Sequence, residues 1–314
     1  MKIVLAGGSG QVGGVLARYL RPTGRDVVVL TRGAANAPGL VHWSSRGAGD
    51  WYRAIDGADV VINLAGRSVN CRYTATNMQQ MLDSRVDSTR AVCRAIAAVE
   101  RPPTLWLQMS TATIYAHRFD APNDEESGTI GGGEPDAPRY WDFSVQIAQA
   151  WERAVDEVET PHTRKVLLRT AMVMSPDRGG VFDMLRRLTR WRLGGSIGGG
   201  RQYVSWIHHL DFCRAIDWLI EHDELVGPVN LASPGPLPQI ELMRGLREAC
   251  HVGLGLPATR WMAKLGAVAL RTDSELVLKS RWVIPGRLLA SGFSFTFPDW
   301  PSAVRDLVGQ DGAK

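Results

Sequence analysis

Gly7, Gly10 and Gly13 fall at G-x-x-G-x-x-G spacing in the stretch LAGGSGQVGG. That spacing suits one kind of chemistry. The glycines permit a tight turn, let the backbone approach a pyrophosphate and let a following helix pack closely on the preceding strand. A helix opening at Gln11 points free N–H groups and the positive end of its dipole at such an anion, with Ser9 and Val12 beside it. The next apolar run ends VVVLTRG, and its end selects the nucleotide. An NAD site usually has an acid there for the ribose 2′-hydroxyl, whereas this chain has Thr31 and Arg32. A guanidinium pairs with a 2′-phosphate, so the expected cofactor is NADP.

A second polar and aromatic group lies at RQYVSWIHHL, residues 201–210. Arg201, Gln202, Tyr203 and Trp206 sit on a strand-like alternation leaving a glycine loop, and are expected to wall a substrate pocket. His208 and His209 are adjacent, a spacing that does not bring two ligands to one face of a strand. Without a companion Cys, Asp or His pattern, no metal site is expected. Asp211 reads as the N-cap of the helix that follows. Cys71, Cys93, Cys213 and Cys250 show neither paired nor metal-type spacing, and read as reduced thiols.

The elements that must hold these residues alternate over the first 170 positions. Apolar, β-branched runs at 2–6, 26–30, 59–65, 104–110 and 165–170 are separated by helical spacing at 11–20, about 76–98 and 141–157. Near-continuous apolar runs fit strands buried on both faces, hence an α/β fold with a doubly wound parallel sheet. Residues 117–139, rich in Gly, Pro and acids, read as a long lid or binding loop. Beyond 170 the pattern is mixed: helices at 181–193, 211–221, 239–249 and 258–270, and a strand at 228–231. The expected organisation is a dinucleotide-binding domain over 1–170 and a smaller substrate region over 171–314 that returns to it. The chain has 36 basic and 32 acidic residues and no basic run, which argues against a nucleic-acid surface. The N-terminal run meets glycines at once, so it reads as a strand rather than a signal peptide. No apolar run reaches the roughly 18 residues of a membrane span. A soluble, cytoplasmic protein is expected.

Taken together, GGSGQVG (7–13), INLAG (62–66), STATIY (110–115) and LRTAMVMSPDRGG (168–180) resemble the extended short-chain dehydrogenase/reductases. SRVDSTRAVCRAI (84–96), AWE (150–152), GRQYVSWIHHLDF (200–212) and GPVNLASPGPLP (227–238) are similar to the atypical, epimerase-like branch labelled a nucleoside-diphosphate-sugar epimerase family. The resemblance spans about residues 1–309 and implies a Rossmann-type fold. It also implies cofactor contacts from Leu64, Ala65, Gly66, Arg85 and Arg169, and a hydroxyl at Thr111 that holds a substrate carbonyl. Superfamily dimers commonly pair two helices, which makes 76–98 and 141–157 the expected faces of a homodimer.

The same resemblance exposes a departure. In YWDFSVQ (140–146), Tyr140 stands where the superfamily keeps its proton-transferring tyrosine, but the position four residues on, normally lysine, is Ser144. An unperturbed tyrosine is only ~0.1% phenolate at neutral pH, and a neighbouring cation lowers its pKa by a unit or more. Of the five lysines, Lys2 and Lys165 begin strands at the far end of the sheet, and the sequence does not position Lys279. Arg72, Arg85 and Arg139 are the nearby cations. The resulting expectation is an NADP-dependent reductase, epimerase or dehydratase on a small polar substrate, a carbonyl compound or sugar nucleotide. Thr111 polarises the carbonyl and Tyr115 or Tyr140 transfers the proton. The alternative is an NADP-binding regulatory protein that senses redox state without turnover.

Overall fold

The computed structural model describes residues 1–269 and 273–310. Strands β1 (Lys2–Ala6), β2 (Asp26–Thr31), β3 (Leu40–His42), β4 (Val60–Asn63), β5 (Leu105–Thr111) and β6 (Arg164–Thr170) belong to the central sheet. Outside it lie β7 (Met172–Met174), β8 (Tyr203–Val204) and β9 (Trp206–His208). β10 (Gly227–Leu231) then returns to the sheet edge, and β11 (Leu237–Pro238) pairs with β8. The sheet runs β10-β6-β5-β4-β1-β2-β3, and all its neighbours are parallel. The order reverses between β1 and β4, so a crevice opens outside the carboxyl ends of these two strands.

The apolar runs became strands because both faces of the sheet are covered. On one face Val15, Leu16 and Leu20 of α1 (Gln11–Leu20) join Ile3, Leu5 and Val29 in one core. Phe212, Ile216 and Leu219 of α6 (His209–Glu221) enter the same core. On the other, α2 (Tyr52–Ile55) and α3 (Ala75–Ala98) pack Ile55, Val92 and Ile96 with Trp43, Trp51 and Trp106. α4 (Asp142–Arg153) buries Val145, Ala148 and Trp151. These apolar positions, which could serve either a homodimer bundle or the protein's own sheet, are buried within the single chain. In the second half, α5 (Val181–Arg190), α7 (Gln239–Ala249) and α11 (Trp300–Gly309) enclose Phe182, Trp206, Leu246 and Trp300. α8 (Arg260–Ala269), α9 (Glu275–Leu278) and α10 (Gly286–Ala290) complete the chain. The predicted helix 258–270 is α8; its expected last residue lies outside the described residues. Among the described residues, no helix is long and apolar enough to cross a membrane.

α6 departs from expectation at its start. The helix begins at His209, and the cap is the His208 ring, whose Nδ1 accepts from the Leu210 N–H at 3.2 Å. Asp211 lies inside the first turn, fully buried, and accepts from the Thr296 and Phe297 amides at 2.8 Å each. Its carboxylate ties the C-terminal chain to α6 rather than capping. Because Nδ1 of His208 accepts, its ring proton sits on Nε2, 3.0 Å from Asp306 Oδ2. His208, His209 and Asp306 bring their ligand atoms within 4.8 Å of one another, yet this bonding leaves His208 no lone pair for a cation.

Burial, with the neighbouring His209 charge second, pushes His208 down to about 4, against the pull of Asp306. An unfolded histidine titrates near 6.5. Between about pH 6.5 and about pH 4 the unfolded chain therefore takes up a proton that the folded chain refuses, and stability falls as the pH drops through that window. Urea unfolding at pH 7 and pH 4.5 is expected to show this loss, reduced in His208→Gln. An equal loss in the variant would assign the acid lability to other groups.

Candidate functional site

The crevice outside β1 and β4 is built first by close packing. Gly7 adopts φ +73°, and a Cβ there would lie 2.7 Å from Ala65 Cα; a Cβ on Gly13 would lie 2.5 Å from Gly8 Cα. Only glycine admits this approach, which seats α1 directly against the turn. Val12 turns into the core beneath the helix. Gly10 is the N-cap of α1 and supplies no side-chain cap, and the first turn carries no acid. The first N–H groups of α1 are therefore available to an anion, with Ser9, Gly10 and Gln11 exposed around them. A dinucleotide pyrophosphate fits this cradle in charge and in space.

The end of β2 is tied to the same loop. Thr31 Oγ1 donates to Ser9 Oγ at 3.2 Å and accepts from the Gly33 N–H at 3.1 Å. Arg32 beside it is exposed and, among the described residues, makes no hydrogen bond or ion pair. The end of β4 is held by buried Asn63. Its Nδ2 donates to Gln108 Oε1 at 2.9 Å, and its Oδ1 accepts from the Ala65 N–H at 3.1 Å, which fixes the Leu64–Ala65–Gly66 turn. Arg85 of α3 lies against Gly66 and over the Trp151 ring, 5.0 Å from its centroid. Burial pushes its guanidinium down to about 10, so it remains charged at neutral pH.

At the end of β5, Thr111 Oγ1 accepts from the Thr113 N–H at 3.2 Å and keeps its own proton to donate. Tyr140 stands just before α4, 40% exposed, with its hydroxyl 3.0 Å from Ser274 Oγ. One turn on, Ser144 donates to Glu275 Oε2 at 2.6 Å. Both positions of the tyrosine–lysine motif are thus engaged by the segment that carries α9. Lys279 of that segment is buried; its Nζ donates to the Thr113 carbonyl at 3.2 Å and lies 3.7 Å from Glu275 Oε1. Arg281 donates from Nε to Thr113 Oγ1 at 3.1 Å and lies 3.9 Å from the same carboxylate oxygen. A lysine does reach the site, from 135 residues beyond Ser144 (279 − 144). The sequence carried one local signal of this, the Glu–Lys pair at i and i+4 in SELVLKS, and no signal of where it docks.

Five expected site residues, Tyr115, Arg169, Trp206, Gln202 and Tyr203, have their side chains engaged within the protein. The Tyr115 side chain is 2% exposed; its hydroxyl donates to Asn230 Oδ1 and accepts from Arg169 Nη1, both at 3.0 Å. Arg169 grips Glu152 with two bonds of 2.9 Å, and Ser110 donates to the same carboxylate at 2.6 Å. Among the described residues this is a network between β5, β6, α4 and β10 in which the Tyr115 hydroxyl and the Arg169 guanidinium are both engaged by protein partners. Trp206 is fully buried, with Nε1 donating to the Gly235 carbonyl at 3.1 Å. Gln202 donates to the carbonyls of Ile197 and Val277. Tyr203 stacks on Trp282 with ring centroids 3.9 Å apart, and Arg201 is exposed. Removing one partner of a buried ion pair costs about 3–5 kcal/mol. Arg169→Ala is expected to lose about that much in urea unfolding while its dinucleotide affinity stays at the parental value. Normal stability with weakened binding would return Arg169 to the cofactor.

This geometry agrees with comparisons to known proteins. A model of the NAD dependent epimerase/dehydratase family matches residues 3–232, and a domain of unknown function, DUF1731, matches residues 258–307. An epimerase family protein of Staphylococcus epidermidis is 32% identical over 98% of this chain and 99% of its own length. The epimerase family protein YfhF of Bacillus subtilis is 29% identical over 98% of each chain. The crystal structure of human epimerase family protein SDR39U1 with NADPH superposes with a TM-score of 0.86 at 25% identity, covering 98% of this chain and 99% of that one. A nucleoside-diphosphate sugar epimerase from Corynebacterium glutamicum has the same fold, with a TM-score of 0.77 at 24% identity over 99% of this chain and 58% of that one. The resemblance read from the glycine loop, INLAG and STATIY is borne out: the chain belongs to the NAD dependent epimerase/dehydratase family, whose cofactor is a nicotinamide dinucleotide.

Proposed function

We propose that the protein is an NADP-dependent oxidoreductase or epimerase acting on a small polar substrate, a carbonyl compound or sugar nucleotide. The observation that carries the cofactor choice is Arg32. It stands exposed at the end of β2, beside a threonine that bonds to the glycine loop, where an NAD site has an acid. A 2′-phosphate gives that guanidinium a charge-assisted partner. The human relative solved with NADPH supports the same choice.

The bound nicotinamide supplies or takes up hydride. The chain's own residues do the rest. The N-terminus of α1 binds the pyrophosphate, and the Leu64–Ala65–Gly66 turn, held by Asn63, lines the crevice beside it. Thr111 keeps a hydroxyl proton to donate to a carbonyl oxygen at the end of β5. Tyr140 is the proton-transfer residue in the superfamily's manner only if its hydroxyl exchanges Ser274 for substrate. That contact, with Ser144 held by Glu275, favours a second reading: an NADP-binding redox sensor whose substrate side is closed by its own C-terminal segment.

The cofactor half is tested by calorimetric titration with NADP and NAD. The wild-type protein is expected to bind NADP at least tenfold more tightly. Arg32→Ala is expected to cut that preference by about 10- to 100-fold, the worth of a hydrogen bond to a charged group, 1.5–3 kcal/mol. Equal affinities, or a preference the substitution leaves alone, would falsify the assignment.

A further inference from the structure

Among the described residues, seven large apolar side chains are at least half exposed, and six of them fall in two segments of the second half of the chain. Trp191 and Leu193 follow α5, whereas Leu254, Leu256, Trp261 and Leu265 lie on the approach to α8 and in its first two turns. The two segments run side by side. The Leu256 N–H donates to the Arg192 carbonyl, the Ala258 N–H to the Ser196 carbonyl and the Gly198 N–H to the Ala258 carbonyl, each at 2.8 Å. Ile197 and Ala258 form a parallel bridge. The six side chains therefore belong to one strip of surface rather than to scattered positions. A single exposed apolar residue needs no explanation, but a contiguous group of them marks an interaction surface.

The strip carries charge of one sign. Residues 184–210 and 249–272 contain no Asp or Glu. Arg187, Arg192, Arg260 and Lys264 are exposed along it, and among the described residues none of the four is ion-paired. Arg187 lies over the Trp191 ring, 5.5 Å from its centroid. On α8, Trp261, Met262 and Leu265 share one face, because residues three and four apart are neighbours on a helix. Arg260 and Lys264 flank that exposed face, while Ala263 on the other side is half-buried. Such an arrangement suits a helix lying in a membrane interface, with tryptophan and leucine toward the acyl boundary and cations beside them toward the headgroups. The ten residues of α8 span about 15 Å, half of what a crossing needs, so the helix can lie on a bilayer but not traverse it.

We propose that this strip, formed by residues 191–193 and 254–265, docks the protein on an anionic lipid bilayer. Charge decides the occupant. A two-fold pairing of the face with a second copy would set the same cations against one another, with no acid in either segment to offset them. Anionic headgroups offset all of the cations at once, and a bilayer needs no shape-matched groove to receive the side chains. The Trp191 and Trp261 indoles, each 62% exposed, suit the headgroup level, where an apolar ring and a polar N–H are both satisfied. Docking requires neither turnover nor a bound dinucleotide, so it stands apart from the oxidoreductase reading.

Co-sedimentation of the full chain with lipid vesicles tests the docking site. Wild type is expected to pellet with vesicles of phosphatidylcholine and phosphatidylglycerol and to stay in solution with phosphatidylcholine alone. Binding is expected to weaken as added salt shortens the screening length. Each cation near an anionic surface contributes about fivefold, so Arg260→Gln with Lys264→Gln is expected to lower the partition coefficient about 25-fold. Trp191→Ser with Trp261→Ser is expected to lower it about tenfold or more. Both pairs face solvent, so urea unfolding is expected to match wild type. Arg53→Gln with Arg153→Gln removes two exposed cations elsewhere and is expected to bind as wild type does. Failure of wild type to bind the anionic vesicles overturns the docking site. So does a tryptophan pair that binds like wild type, or an Arg53 and Arg153 pair that weakens binding as much as the Arg260 and Lys264 pair. Light scattering and a polyglutamate probe identify the replacement occupant. A wild-type dimer that the tryptophan pair converts to a monomer, without vesicle binding, assigns the strip to a second copy. Capture by polyglutamate without vesicle binding assigns it to an acidic protein, and either result overturns the bilayer.

Discussion

The approach of α1 to the turn after β1 is the constraint on which the rest of the molecule depends. Gly13 lies so close to Gly8 that even a methyl group would overlap the backbone. That contact sets where the helix begins and so where its uncapped N–H groups point. A slightly longer seat would move the positive end of the dipole away from the crevice and break the link from Ser9 to Thr31. The sheet order adds the second half of the constraint. Because β1 and β4 are parallel neighbours whose following helices α1 and α3 pack on opposite faces of the sheet, the glycine turn and the Leu64–Ala65–Gly66 turn meet across one gap, with Gly7 packed on Ala65. The dinucleotide site is therefore a consequence of how one helix and one sheet fit, and few side chains need to be specialised for it.

The cluster around Ser144 is built on the opposite principle, by long-range charge. Burying Glu275, Lys279 and Arg281 together is costly unless they neutralise one another. Their mutual distances, with the Thr113 and Ser144 contacts, meet that requirement only when the C-terminal segment lies across β5 and α4. The segment is fastened along its length as well. Ser280 N donates to His117 Nδ1 at 2.7 Å, Ser205 donates to the Arg281 carbonyl at 2.7 Å, and Asn123 N donates to the Trp282 carbonyl at 2.7 Å. The loop at 117–139, which reads as a lid, is held at Asn123, His117 and Arg118 by this segment, so the two act as one wall.

What was legible in the sequence follows from the range of the forces involved. Runs such as KIVLA and DVVVL declare themselves because a strand buried on both faces must be apolar throughout. The glycine spacing declares itself because its cause, a turn and a close approach, is local. β3, only three residues long, carries too short a run to be read. Asp211 has the right residue type for a cap but stands two positions inside the helix, since the ring of His208 had already taken that role. Tyr115 and Trp206 misled for a common reason. Residue type announces that a polar aromatic has chemistry to offer, but only the fold decides whether its polar atom meets substrate or, as here, Asn230 and Gly235. The partner of Ser144 was beyond reach because it lies 131 residues away.

Ser144 then has a physical explanation as more than a lost lysine. A lysine there would bring its own ammonium to the tyrosine from one turn away. With serine, the cations arrive instead on the C-terminal segment, and they come with a carboxylate. Lys279 lies against Thr113, beside Thr111 at the end of β5, so a positive charge is retained near the expected carbonyl position. The local couple holds one charge of one sign, whereas the assembled cluster holds both signs and a hydroxyl between them. Such a cluster forms only when β5, α4 and the C-terminal segment are all in register. The epimerase/dehydratase model matches residues 3–232, which hold the glycine turn and the motif at 140–144, and the separate domain matches residues 258–307, which hold Glu275, Lys279 and Arg281.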